Sequence, residues 1–361
     1  MTTDTPLRTE DFNYHLPEHL IAQEPMMPRD ACKLLVMNRS NNKLEHRHFR
    51  DIGDYLNPDD LLVVNETRVL PARLQGRRAD TGGAIEVLLL KDLKEGTSTC
   101  PVWECLAKPG KRVKEGTEIV FGEGENPSQT RLTGKVISVG DNGIRHISFS
   151  AADDDFHAAI HRLGTLPLPP YIKGYAGDQD MYQTVYAGAD EHSAAAPTAG
   201  LHFTPELLDA LQTKGVNIAR VRLDVGLDTF RPVSEDDPAQ HHIHTEYFHV
   251  PQEAADAVNT ARAAGGRVIA VGTTVVRALE SAAQLSSGAI SEQGAPTSLY
   301  ILPGFEFKAV DALITNFHVP KSTLVMMISA FTGREEILAA YNEAVQKEYR
   351  FLSFGDAMLI L

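Results

Sequence analysis

RVIAVGTTVVRALES, residues 267–281, decides the fold. Residues 267–271 are a short apolar run rich in β-branched side chains and read as a buried strand. Gly272, Thr273 and Thr274 then open a second run, GTTVVRALESAAQL (272–285), which reads as a helix. A strand passing into a helix through a three-residue turn is the repeating unit of an α/β layer. The first N–H groups of such a helix lack intrahelical partners, and with the helix dipole they favour a carboxylate or phosphate. The turn is not a GxGxxG fingerprint, so it marks an anion site without naming the ligand.

The same alternation continues on both sides. VNIARVRL (216–223) and ALITN (312–316) read as strands, while 252–266, 322–333 and 334–346 read as helices. Towards the N-terminus, KLLVMN (33–38) and DLLVVN (60–65) are buried strands bounded by Asn, Pro and Asp. From there to about residue 149 the texture changes. IEVLLL (85–90), VWECLA (102–107), TEIVF (117–121), GKVISV (134–139) and IRHISF (144–149) follow one another with turn residues and no helical period between them, the pattern of a small closed β-barrel. A helix and a proline-rich hinge, ADDDFHAAIHRLGTLPLPPYI (152–172), follow. The predicted architecture is a discontinuous α/β domain with a mostly parallel sheet, residues 1–65 and 156–361, carrying an inserted β-barrel at 66–155.

Charge follows the same division. The 361-residue chain has a formal net charge of −14, yet residues 66–149 hold 13 Lys and Arg against 11 Asp and Glu. Lys108, Lys111, Arg112 and Lys114 crowd one loop of that segment. A charge run of this kind is either a solvated face or a polyanion-binding surface. Cys32, Cys100 and Cys105 form no CxxC pair and leave an odd count, which argues against a disulfide framework or a cysteine zinc site and fits the cytoplasm. No apolar run approaches the roughly 18 to 20 residues of a membrane span.

Three further stretches carry candidate chemistry. In SAAAPTAGLHFTPELL (193–208), small residues lead to His202 and then to a helix start with Thr204 as N-cap and Pro205 at the first helical position. The small residues either admit a ligand close to the backbone or let the loop pack tightly on a neighbour. ITNFHVPKSTL (314–324) gathers Asn316, His318 and Lys321 at a strand end, with Ser322 or Thr323 as cap, where open α/β sheets bind ligands. HHIHTEY (241–247) places His242 and His244 on one face with Glu246 if the segment is extended, a group better suited to proton transfer than to a metal because no HExxH spacing is present. Arg277 and Glu280, three apart on one helix, have the spacing of an ion pair.

Together with YHLPEHLIAQEP (14–25), LLVVNETRVLPARL (61–74), AKPGKRVKEG (107–116), LPLPPYI (166–172), MYQTVYA (181–187) and YRFLSFGDAML (349–359), these stretches resemble the S-adenosylmethionine:tRNA ribosyltransferase-isomerase family of queuosine biosynthesis nearly end to end. The resemblance implies a cytoplasmic enzyme that moves the ribosyl part of S-adenosylmethionine onto the aminomethyl-deazaguanine at the tRNA wobble position, yields epoxyqueuosine and releases adenine and methionine. It implies no cofactor and no metal, since S-adenosylmethionine is a consumed substrate, and a monomer that meets tRNA through its anticodon region and meets no membrane. Such chemistry needs a base for the proton beside the sulfonium and an acid for the departing adenine. His202, Asp224, His244, Glu246 and His318 are the candidates for these roles. Tyr186, Thr198, Gly200, Gly272, Thr273, Thr274, Arg277, Glu280, Asn316 and Lys321 are the candidate substrate-binding residues, and the basic loop is the candidate tRNA contact. The chain departs from the family's LHVGxGTFxPV at LDVGLDTFRPV (223–233), where Asp224 replaces histidine and Asp228 replaces glycine; an aspartate can also accept a proton. A paralogue that binds tRNA or adenosyl compounds without isomerisation, and a metal-dependent hydrolase built on the histidines, are the alternatives.

Overall fold

The computed structural model describes residues 7–97, 99–122, 132–152, 155–189, 191–226, 232–286 and 288–361; Asp228 lies outside them. The chain forms two compact units, one of Met1–Arg68, Pro169–Asp190 and Ala196–Leu361, the other of Val69–Leu168 and Glu191–Ala195.

The first unit is built on a nine-stranded sheet. Its strands are β1 (Lys33–Asn38), β2 (Lys43–His48), β3 (Leu61–Asn65), β4 (Asn217–Leu223), β5 (Glu246–Val250), β6 (Val268–Val271), β7 (Gln293–Thr297), β8 (Ala312–Asn316) and β9 (Ala357–Ile360). They lie in the order β7-β5-β4-β3-β6-β8-β9-β1-β2. The middle of the sheet, β4-β3-β6-β8, is parallel, with Leu61 opposite Val268 and Ile269 opposite Ala312. Of these, β3, β6 and β8 read as continuous apolar runs because both faces are covered; every residue of the three is buried.

The sheet as a whole is mixed, which corrects the expectation of a mostly parallel one. β9 runs antiparallel to β8 and parallel to β1, and hairpin-type pairings add β2 on one side and β5 and β7 on the other. Outer strand β2, KLEHRH, carries a charged residue at every second position, and outer strand β7, QGAPT, contains Pro296. Helices α1 (Pro205–Thr213), α2 (Gln252–Ala263), α3 (Thr273–Leu285), α4 (Thr323–Thr332) and α5 (Arg334–Gln346) complete the unit. Local signals fix their starts. Thr204 accepts the Leu207 N–H at 3.2 Å ahead of α1, and Ser322 accepts the Val325 N–H at 3.3 Å ahead of α4.

In the second unit, strands Arg73–Arg78, Ala84–Thr97, Cys100–Lys108, Ile144–Ala151, Leu132–Val139 and Glu118–Phe121 pair in that order, and the last returns to the first to close a six-stranded antiparallel barrel. Helix Phe156–Leu163 and the strand pair Gly164–Thr165 with Arg73–Leu74 also belong to this unit. The barrel interior is filled by Leu74, Val87, Ile119, Phe121, Val136, Ile147 and Phe149, all essentially inaccessible. Gly76 stands against Phe121, which leaves no room for a Cβ there, and a Cβ on Gly134 would crowd Ile147, Phe149 and Phe121.

Candidate functional site

A cleft opens in the first unit at the carboxyl ends of β6 and β8. It is bounded by the loop Ala196–Ala199, by Gly272–Thr274, by Thr315–His318 and by Leu352–Ser353, with Val225, Ser322 and Tyr171 at its margin. The carboxyl edge of parallel strands is where the chain must leave the sheet, so loops there can gather polar groups from distant segments.

Two asparagines organise the strand ends. Asn65, the last residue of β3, donates from Nδ2 to the Leu223 carbonyl at 3.0 Å and to Thr274 Oγ1 at 3.3 Å, and its Oδ1 accepts the N–H groups of Thr67 and Leu223. The Thr274 hydroxyl, serving as acceptor there, keeps its own proton for another acceptor. Gly272 sits at φ 96°, a region that favours glycine, and its N–H bonds to the Ile314 carbonyl at 2.8 Å, tying the start of α3 to β8.

Asn316, the last residue of β8 and 2% exposed, is held three ways. Its Nδ2 donates to the Leu352 carbonyl at 3.2 Å and lies 3.1 Å from His202 Nε2, and its Oδ1 accepts the Thr198 hydroxyl at 3.0 Å. Leu352 adopts φ 71°, a conformation costly for a branched residue, and is kept there by its N–H bond to the Phe317 carbonyl and by this contact of its own carbonyl. His202 is buried behind Asn316, with Nδ1 3.2 Å from Cys32 Sγ. Burial, reinforced by the charges of Arg350 and Arg29, lowers its pKa to about 3.

His318 lines the cleft, with Nε2 2.8 Å from Thr315 Oγ1, its N–H on the Tyr341 hydroxyl and its carbonyl accepting from the Tyr14 hydroxyl. Burial lowers its pKa to about 3, so it is a neutral imidazole at physiological pH.

His244 Nε2 lies 2.8 Å from Glu246 Oε1, which also accepts the Gly226 N–H at 2.8 Å, while Glu246 Oε2 pairs with Arg277 Nη1. Burial pushes the Glu246 carboxyl upward, but the His244 hydrogen bond, the Arg277 charge and the Gly226 N–H outweigh it and leave the group below its usual range. Gly226 leaves space for this arrangement, since a Cβ there would come within 2.9 Å of His244 Nε2. His242 turns instead to the Gln240 carbonyl and His241 to Glu235.

The spacing of Arg277 and Glu280 suggests a pair that does not form. Glu280 is fully buried and accepts the backbone N–H groups of Lys308, Ala309 and Val310, with burial raising its pKa against those three bonds. Asp224 follows β4, 3.7 Å from Arg222 and within 3.5 Å of the Thr67 hydroxyl, next to Val225 at the cleft margin. Lys321 lies outside the cleft lining, with its ammonium 3.4 Å from Glu10.

Tyr186 is a core residue, and Gly200 makes room for it: a Cβ on Gly200 would overlap the Tyr186 hydroxyl. The small-residue loop thus does both things its composition allows. Ala196, Thr198 and Ala199 face the cleft, whereas Gly200 serves packing.

In the barrel unit, Lys108, Lys111, Arg112 and Lys114 are all exposed on one loop. Arg145, 7% exposed, donates to the carbonyls of Val113 at 2.7 Å, Gly110 at 2.8 Å and Ile144 at 2.9 Å and so fixes the loop from beneath.

Sequence reasoning missed Cys32, Asn65, Leu352 and Ser353 as site-forming residues. Asn65 and Leu352–Ser353 lie inside the quoted segments 61–74 and 349–359, while Cys32 has no local signal at all. Among the described residues, no group of three His, Cys, Asp or Glu side chains is placed to hold a metal ion, and no helix is long and apolar enough to cross a membrane.

Comparison with known proteins identifies the family. A family model described as "Queuosine biosynthesis protein" matches residues 9–360. The chain is 53% identical over 355 residues to a S-adenosylmethionine:tRNA ribosyltransferase-isomerase of Symbiobacterium thermophilum and 54% identical over 355 residues to one of Moorella thermoacetica, covering 98% of this chain and all of each relative. A crystal structure of S-adenosylmethionine tRNA ribosyltransferase from Thermotoga maritima, 40% identical, matches 97% of this chain and all of its own with a TM-score of 0.54. The chain belongs to the S-adenosylmethionine:tRNA ribosyltransferase-isomerase family of queuosine biosynthesis.

Proposed function

We propose that the chain transfers and isomerises the ribosyl group of S-adenosylmethionine onto aminomethyl-deazaguanine at the wobble position of tRNA, giving epoxyqueuosine with release of adenine and methionine. The observation that carries the reading is the convergence, in one cleft, of the α3 start at Gly272–Thr274 with the polar cluster of Thr198, Asn316 and His318.

In this reading the methionine carboxylate lies at the helix start, where the dipole and the Thr274 hydroxyl proton favour an anion. Loss of a proton beside the sulfonium starts the rearrangement; the base amine bonds to the ribosyl skeleton and a ribosyl oxygen closes the epoxide on the carbon that loses sulfur, so methionine departs as a thioether. Cleavage of the glycosidic bond releases adenine, which takes up a proton as it leaves. His244, oriented by Glu246, and Asp224 are the groups for proton transfer. His318, neutral because it is buried, contributes a hydrogen bond to the substrate rather than a charge. The exposed basic loop of the barrel grips the phosphates of the anticodon region. No cofactor takes part, the enzyme acts as a monomer, and it works in the cytoplasm.

The test is to incubate the protein, in the presence of a chelator, with S-adenosylmethionine and tRNA bearing the aminomethyl base. A mass gain on the wobble nucleotide, with adenine and methionine released in equal amounts, is the expected result. An unaltered base, or activity that returns only with an added divalent ion, overturns the reading.

A further inference from the structure

The hydrogen-bond chain Thr198–Asn316–His202–Cys32 has only one self-consistent assignment of protons. It is anchored by the Leu352 carbonyl, which has none to give. The Asn316 atom 3.2 Å from that oxygen must therefore be the amide nitrogen. The second proton of the same nitrogen faces His202 Nε2 at 3.1 Å, which makes Nε2 an acceptor. The imidazole proton consequently resides on Nδ1, directed at Cys32 Sγ, 3.2 Å away and fully buried. A charged imidazolium would place an N–H against the amide protons, and burial disfavours it as well. With the amide so oriented, Asn316 Oδ1 can only accept, and the Thr198 hydroxyl proton is committed to it.

Both Asn316 amide protons and the Thr198 proton are thus spent within the protein. Thr198 and Asn316 line the cleft, while His202 and Cys32 do not. What the two side chains can still offer is oxygen lone pairs.

We propose that Thr198 and Asn316 form an acceptor-only floor that selects a ligand amino group, and that His202 is a positioning residue that holds this polarity through Asn316. This deepens the functional reading above and rests on it. Two sources could supply the amino group, the 6-amino group of the purine of S-adenosylmethionine and the aminomethyl group of the tRNA base. Either presents N–H donors to two oxygens, whereas a carbonyl in the same place would set acceptor against acceptor. A site built to bond one polar group rejects the analogue lacking it far better than a hydrophobic pocket separates shapes.

The experiment measures binding of S-adenosylmethionine, of its analogue with a 6-oxo in place of the 6-amino group, and of tRNA with and without the aminomethyl group. The proteins are the parent, Thr198→Val, Thr198→Ser and His202→Phe. If the purine supplies the amine, the parent prefers the 6-amino compound by at least about tenfold. If the base supplies it, the same preference appears between the two tRNAs. In either case Thr198→Val weakens the discrimination, since one of the two oxygens is lost, and Thr198→Ser retains it. His202→Phe reduces it while binding of the amine-free ligand stays within about twofold, a selective effect that general loss of structure does not produce. Should His202→Phe fail to fold, the two Thr198 variants still decide the matter. A parent that binds S-adenosylmethionine yet shows neither discrimination, or shows one that Thr198→Val leaves unchanged, overturns the acceptor floor and leaves the family's reaction untouched. A parent that binds neither S-adenosylmethionine nor tRNA overturns the functional reading itself.

Discussion

The Tyr186 hydroxyl occupies the volume that a Cβ on Gly200 would need, and that hydroxyl has no hydrogen-bond partner among the described residues. Gly200→Ala is expected to lower stability by about 1 to 3 kcal/mol through overpacking, because the ring is wedged among Phe203 and the surrounding core. Tyr186→Phe removes only an unpaired oxygen and is expected to be close to neutral, and combined with Gly200→Ala it recovers part of the loss. Urea unfolding of the three variants checks this; a Gly200→Ala midpoint equal to the parent's contradicts it.

Thr274 receives the Asn65 amide and retains a proton at the start of α3. Thr274→Ala is expected to weaken S-adenosylmethionine binding about ten- to a hundredfold, the loss of a charge-assisted hydrogen bond of roughly 1.5 to 3 kcal/mol. Calorimetric titration measures it, and unchanged affinity removes the carboxylate from this position.

Lys111→Glu combined with Arg112→Glu is expected to weaken tRNA binding at least about tenfold and to flatten its salt dependence, each lost phosphate contact lowering the slope by about 0.9 or less. Affinity for S-adenosylmethionine stays as it was. Arg145→Leu, which deletes the three bonds beneath the loop without touching the exposed charges, is expected to reproduce part of the effect. Filter binding across a salt series decides between this loop and a surface elsewhere.

Glu246 sets a stability limit on the acid side. Its folded pKa lies below the ordinary glutamate value, so the unfolded chain binds the proton more readily. The contribution of this carboxylate is therefore complete above about pH 4.3 and disappears as the pH falls through the lower folded value. Glu246→Gln is expected to flatten this part of the pH–stability curve, and Glu246→Leu, which leaves Arg277 buried without its partner, to cost about 3 to 5 kcal/mol at neutral pH. Thermal unfolding between pH 3 and pH 7 checks the sign; an acid limb of the same steepness in Glu246→Gln refutes it.

Helix starts were legible because Thr204, Pro205 and Ser322 act within four residues of themselves. Strands such as 61–65 and 268–271 were legible because burial on both faces leaves a continuous apolar run. Strand direction was not. Residues 357–360 become a strand only by fitting between β8 and β1, and nothing in AMLI states that one neighbour runs antiparallel and the other parallel. Strand Arg73–Arg78 escaped notice because its six residues are mostly polar or half-exposed. In the site, the strand-end rule pointed to Asn316, Thr273 and Thr274, whereas Cys32 meets His202 across 170 positions of sequence. Arg277 and Glu280 show the limit of spacing: helical geometry puts them on one face, but Glu246 and the loop at 308–310 supply the better partners.

The outer strands of the nine-stranded sheet also bear on how the protein behaves at high concentration. β2 presents Lys43, Glu45 and Arg47, and β7 carries a proline with no N–H to offer. A strand from another molecule would have to desolvate those charges on one side or forgo a ladder bond on the other. Fibrillar growth by strand addition is thereby disfavoured at both ends of the sheet, and among the described residues the six barrel strands pair into a closed ring.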